Sequence, residues 1–204
     1  MNPAPREIAT NAVDGAPVPH ATAIRASVVA TSRLAIRAMG RDEDYFGHLD
    51  PQHREAVVNI SGVGWVPMDV AYAHYGAADA LGLSPEEQRE IGRQVAVRLR
   101  DSYAGSIIRS LRAIRALSPH SVLSRFPIAW ERLVQGGGAR AVELGPKEIR
   151  VECTRTRIAG YGYVRQGWAG MFEGTLSLVS KSVHVTELPA YRGPDRCGYL
   201  IAWV

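Results

Sequence analysis

The residues in this 204-residue chain with chemistry to offer are six histidines, two cysteines and a set of large aromatic side chains. The histidines are scattered. His20 lies near the N-terminus, and His48, His53 and His120 fall near helix ends or loops, where solvent exposure is the default. His74 sits between Tyr72 and Tyr75 on a helical pattern. There it either lines a cavity or is a buried, hydrogen-bonded core histidine. His184 projects from a strand opposite Val183 and Val185, and with Cys197 near the next strand it would supply half of a metal site. Cys153 and Cys197 are too few for a disulfide framework and read as reduced thiols of a cytoplasmic protein. The chain has no G-x-S-x-G, no H-E-x-x-H and no paired-cysteine zinc pattern, so it carries no recognisable catalytic set. Gly136-Gly137-Gly138 follows a helix and enters a strand with no Lys-Ser or Lys-Thr behind it, which makes it a turn rather than a phosphate loop.

The aromatic residues are more informative. Trp130, Trp168, Phe172, Tyr199 and Trp203 fall on segments expected to pack together, as core or as the wall of an apolar pocket. From Val164 to Ser180 the apolar residues recur at helical spacing, and Gly167, Gly170 and Gly174 share one stripe of that helix. Glycine costs about 1 kcal/mol against alanine inside a helix, so three on one stripe imply a close approach. A strand or neighbouring helix could come that near, and so could a ligand or a second subunit.

These residues need elements to hold them. Ala139–Leu144 and Glu148–Thr154 alternate apolar and polar side chains, and Gly145-Pro146-Lys147 between them predicts a hairpin. Val183 with Val185, and Tyr199 with Ile201 and Trp203, mark two closing strands around the turn Arg192-Gly193-Pro194-Asp195. Upstream, the pattern is helical. Ser27–Met39 stops at Gly40, Asp50-Pro51 caps a helix to about Asn59, and another follows Pro67 through Leu81. Ser84-Pro85-Glu86-Glu87 starts a helix with acids facing its dipole. A second apolar stripe follows through Ile107, Ile108, Leu111, Ile114 and Leu117. Ser118-Pro119 opens a helix that Pro127 kinks. Residues 1–26, rich in Ala, Pro and Asn and without periodicity, read as a flexible arm, and residues 27–204 as a single domain.

Net charge is +4, carried almost wholly by arginine, which does not call for nucleic acid. No run is long enough to span a membrane, and no signal-peptide core is present; the chain is expected in the cytoplasm.

The closing segment Arg192-Gly193-Pro194-Asp195-Arg196-Cys197-Gly198-Tyr199 resembles the G-D-P-x-C-x-F ending of 4-vinyl reductase domains. With the helical first half, the segment Phe126-Pro127-Ile128-Ala129-Trp130, the hairpin and the long helix, the chain resembles the wider 4-vinyl reductase, heme-NO-binding and TRAPP-like superfamily. Within that group it looks closest to an uncharacterised myxobacterial paralogous family. The resemblance implies an α+β fold, with a helical N-terminal half packed on a C-terminal antiparallel sheet that carries a long helix. It further implies a non-enzymatic sensor or regulatory module for a small hydrophobic ligand. The expected ligand-binding residues are Tyr103, Trp130, Trp168, Phe172, Gly167 and Gly170. The alternative is a homodimeric interaction scaffold or adaptor without a ligand. Zinc-holding members place cysteines and an acid around the closing turn. Here Cys197 and Glu187 match, but Ala190 and Tyr191 stand where a further cysteine belongs, so no metal is expected. The heme-binding branch carries Y-x-S-x-R, which Tyr103-Ala104-Gly105-Ser106 does not reproduce, so no cofactor is expected either.

Overall fold

The computed structural model describes residues 4–12, 16–101 and 118–204. Two sheets organise it. The larger has five antiparallel strands in the order β1-β5-β6-β8-β7. They are β1 (Arg6–Thr10), β5 (Gly138–Gly145), β6 (Glu148–Thr154), β7 (Val183–Glu187) and β8 (Cys197–Trp203). The smaller is a ribbon in the order β3-β2-β4, made of β2 (Ala23–Arg25), β3 (Trp65–Pro67) and β4 (Val134–Gln135). The expected hairpin is β5–β6, with Ala141 paired to Val151 and Glu143 to Ile149. Ile149, Val151 and Cys153 are fully buried, as their alternation requires. An antiparallel β8 joins β6 to β7, and its residues Tyr199 and Ile201 continue the same buried face.

Part of the stretch expected to be an arm is instead sheet. Arg6–Thr10 pairs with β5, the Asn11 side chain accepts from the Ala139 N–H at 2.7 Å, and Ala23–Arg25 is the central strand of the ribbon. Five residues of strand carry no long apolar run, because an edge strand buries little, so periodicity alone does not reveal them.

The helices pack against the sheets and against one another. They are α1 (Ala26–Ala38), α2 (Asp42–His48), α3 (Pro51–Val58), α4 (Met68–Ala80), α5 (Pro85–Asp101), α6 (Pro119–Leu123), α7 (Phe126–Leu133) and α8 (Gly162–Leu176). Their starts follow the expected chemistry. The Asp50 carboxylate accepts from the Gln52 N–H, and Ser118 and Ser121 form a reciprocal cap. Proline 127 does more than kink: it falls in the first turn of α7, where its missing N–H costs nothing, and α6 is a separate short helix. The apolar stripe at 107–117 lies outside the described residues.

Candidate functional site

The centre of the molecule is where α7, α8, α1 and the ribbon meet the five-stranded sheet. Three elements bring the expected aromatic residues there. Trp130 on α7 meets Trp168 on α8 edge-to-face, ring centres 5.4 Å apart at 81°. Phe126 joins Trp130 at 6.1 Å and Phe172 at 5.2 Å, and Phe172 reaches Tyr199 of β8 at 5.5 Å. The three residues named from sequence, Trp130, Trp168 and Phe172, are therefore neighbours; Tyr103 lies outside the described residues. The indole N–H of Trp130 donates to the Gly136 carbonyl at 3.0 Å, which fixes the ring. Gly136 and Gly137 both have positive φ, and a Cβ on Gly137 would stand 3.1 Å from the Trp130 ring. The triple glycine is thus the turn expected of it, folded around the tryptophan. The Tyr199 hydroxyl donates to the Arg165 carbonyl at 2.9 Å.

Two small voids lie in this region. The first, about 20 Å³, is walled by apolar side chains including Trp130, Trp168, Phe172 and Phe126. The second, about 30 Å³, lies between α1, α4, α5 and α8, and its wall includes Ser32, Tyr75 and Tyr163. Val28, Trp168 and Met171 line both, so the voids are adjacent. Each has room for about one water-sized molecule as it stands.

Of the occupants offered for the glycine stripe, the structure shows the neighbouring helix. A Cβ on Gly170 would lie 1.9 Å from the Arg89 carbonyl oxygen, and one on Gly92 would lie 1.9 Å from the Gly167 carbonyl oxygen. Gly174 likewise faces Ala96 and Arg93. The stripe is where α5 and α8 touch backbone to backbone. Of the two glycines expected to admit a ligand, Gly170 is fully covered by α5; Gly167 also abuts α5 but borders the second void. Arginines from α5 lock this contact: Arg89 donates to Glu173 Oε1 at 2.7 Å and Arg93 to Glu173 Oε2 at 2.8 Å. The N-terminus of α8 is held by α4, where Asp79 accepts from the Tyr163 N–H at 2.7 Å in place of a local cap.

His74 is fully buried and makes two hydrogen bonds. Its Nδ1 lies 2.8 Å from the Tyr45 hydroxyl and its Nε2 2.9 Å from Ser32 Oγ, which in turn lies 2.6 Å from the Tyr163 hydroxyl. This four-residue chain joins α2, α4, α1 and α8. Burial, helped by the Arg33 charge, lowers the His74 pKa to about 3, so the ring is neutral. Burial likewise pushes the Tyr45 and Tyr163 hydroxyls above the usual range, so both stay protonated. Of the two sequence alternatives, His74 is the hydrogen-bonded core histidine, and its partner Ser32 also lines the second void. The network was invisible in the sequence because its members lie 42 and 131 positions apart.

His184 and Cys197 do not make half a metal site. His184 is exposed with Ser182 Oγ 3.3 Å from its Nε2, whereas Cys197 is buried opposite Cys153 in the β6–β8 register. Glu187, the acid matched in the closing turn, pairs with Arg165 at 3.0 Å and Arg192 at 2.7 Å. No cluster of three or more His, Cys, Asp or Glu suited to a metal occurs among the described residues. No described helix is long and apolar enough to cross a membrane.

Several solved H-NOX proteins share this architecture. The Fe(II) unliganded H-NOX protein from K. algicida is similar over 89% of this chain and 97% of its own, with a TM-score of 0.59 and 10% identity. A single-residue mutant of that protein gives 0.65 at 9% identity over the same shares. An oxygen-binding H-NOX domain related to soluble guanylate cyclases matches 88% of this chain and 95% of its own, at 0.54 and 14% identity. At these identities the likeness is one of fold, and it agrees with the α+β architecture expected from the sequence. No curated protein matches the sequence. The model of one family matches residues 71–204, from α4 to the last strand, and the chain belongs to that family, described as "Protein of unknown function (DUF2378)".

Proposed function

We propose that this chain is a cytoplasmic, non-enzymatic sensor or regulatory module whose ligand is a small hydrophobic molecule held beside Trp130, Trp168 and Phe172. The observation that carries this reading is the pair of adjacent voids ringed by aromatic and aliphatic side chains. Interiors are normally close-packed, and apolar voids that persist accept apolar guests. Met171, half-buried and shared by both walls, is unbranched and adapts its shape readily, so it is the residue to yield when a guest enters. The solved neighbours are H-NOX proteins, and one is described by its heme distortion. Two observations among the described residues support a guest other than heme. A cofactor of that size needs roughly 300 Å³ or more, against voids of about 20 and 30 Å³. Both His74 ring nitrogens are also engaged, leaving neither to bind iron. The proposed guest is a compact molecule.

A guest that binds only the folded state raises the melting temperature by mass action and alters the emission of Trp130 and Trp168. Titration with compact apolar compounds, followed by tryptophan fluorescence and melting temperature, tests the proposal; no response in either would refute it.

The small size of the voids favours a second reading, a homodimeric scaffold or adaptor with a filled interior. Light scattering that returns a monomer at high concentration would argue against a homodimer.

A further inference from the structure

Three exposed arginines on two joined turns have no acid to hold them. Arg155 and Arg157 flank Thr156 in the turn after β6, and Arg196 lies in the turn before β8. The Thr156 N–H donates to the Asp195 carbonyl at 2.9 Å, and a Cβ on Gly160 would stand 3.1 Å from the Pro194 carbonyl oxygen, so the turns abut. Thr156 is fully buried between its two exposed neighbours. Arg140, Arg150, Arg165 and Arg192 on nearby segments each hold a carboxylate, whereas no ion pair reaches Arg155, Arg157 or Arg196 among the described residues. Asp195, the one acid in these turns, pairs with none of the three. Arg155 has a φ of 58°, in the left-handed region, and its carbonyl accepts from the Ala21 N–H at 2.8 Å. Glycine adopts that conformation at lower cost, so the turn itself gives no reason for an arginine. The Arg157 guanidinium lies 5.2 Å from the centre of the Tyr72 ring, which steadies it and leaves its N–H groups for another molecule.

We propose that this arginine cluster is a docking surface for a short acidic segment of a partner protein, whose Asp and Glu carboxylates are taken by Arg155, Arg157 and Arg196. Charge complementarity selects the partner. Guanidinium groups match carboxylates with paired N–H donors, and cations without acids beside them repel one another until such a segment arrives. Nucleic acid fits less well. Three cations neutralise three phosphates, fewer than the roughly 6–10 contacts that give strongly salt-dependent duplex binding. The cluster shares no residue with the walls of the two voids, so it stands or falls apart from the ligand proposed above.

The test follows the fluorescence anisotropy of labelled hexaglutamate at low ionic strength with three proteins. They are the wild-type chain, a patch variant and a control variant. The patch variant combines Arg155→Asn, chosen because asparagine tolerates positive φ, with Arg157→Gln and Arg196→Gln. The control combines Arg37→Gln, Arg125→Gln and Arg132→Gln, which removes the same charge from exposed positions elsewhere. Loss of three exposed ion pairs weakens hexaglutamate binding by about tenfold in the patch variant, and the control binds as the wild type does. Equal loss in both variants overturns the proposal, because net charge alone then explains the binding. Absence of hexaglutamate binding by the wild-type chain overturns it too. Salt gives an answer without a variant: wild-type binding that weakens as salt rises supports the assignment, and binding indifferent to salt overturns it. Labelled oligothymidylate is the competing probe, and tighter binding of it than of hexaglutamate, lost in the patch variant, overturns the acidic segment in favour of nucleic acid.

Discussion

Replacing Gly170 by alanine tests the α5–α8 contact directly. The added Cβ would stand 1.9 Å from the Arg89 carbonyl oxygen, and 2.6 Å from its carbon. Both atoms belong to the backbone of α5, so no side-chain rotation relieves the clash. The two helices must part by at least about 1 Å, and a gap of that size forfeits up to about half of the dispersion energy of the atoms it separates. Overpacking of this kind costs about 1–3 kcal/mol or more, partly offset by the roughly 1 kcal/mol that alanine gains over glycine in a helix. The bonds from Arg89 and Arg93 to Glu173 span the same contact and would stretch with it. Gly170→Ala is expected to lose about 2 kcal/mol net. The control is Gly47→Ala in α2, an exposed position with nothing within 4 Å of its added Cβ, where the same substitution should gain about 0.5–1 kcal/mol. Urea denaturation measures both, with the slope checked for constancy so that the midpoint reports stability. A Gly170→Ala midpoint at or above wild type would refute the close backbone contact.

His74 makes stability depend on pH in a defined direction. Its folded pKa is depressed to about 3 from 6.5. The unfolded chain therefore binds the proton first, and stability is fully present above pH 6.5 and is lost as pH falls towards 3. The slope from this group approaches about 1.4 kcal/mol per pH unit, and His74→Gln should flatten it between pH 6 and 5; an unchanged slope would count against a buried neutral ring. Cys153 and Cys197 are both buried, and burial pushes the Cys153 thiol up, so neither should react with a thiol reagent at pH 8 until the chain unfolds. Labelling at a rate independent of denaturant would contradict their placement. Tyr163→Phe breaks the bond to Ser32 at 2.6 Å and should cost about 1–3 kcal/mol, read from the same urea curves; a neutral effect would show the network to be unimportant for stability.

Much of the fold was legible because it is written locally. The β5–β6 hairpin declares itself by alternation and a Gly-Pro turn, and the caps at Asp50, Ser84 and Ser118 are set by two or three adjacent residues. Strands β2, β3 and β4 were not legible, since two or three residues cannot display a period. The aromatic group was found because size and helical spacing both pointed inward. The glycine stripe was recognised as a place of close approach, yet its neighbour, Gly92 on α5, lies 75 or more positions upstream and only packing reveals it. Cys153 and Cys197 face each other through the non-sequential pairing of β6 with β8, which no spacing rule encodes.

The family match starts at residue 71, inside α4, whereas the hydrogen bonding does not respect that line. The Arg6–Thr10 strand closes one margin of the large sheet, and Ile24 bridges Val66 to Val134. A polypeptide trimmed to the matched span would bare the β5 backbone, strip β4 of its partner and leave α5 without the α1 surface it rests on. Such a trimmed chain would present raw sheet margins that recruit other strands. The matched span is thus shorter than the hydrogen-bonded unit, and a cut at its start would break into both sheets.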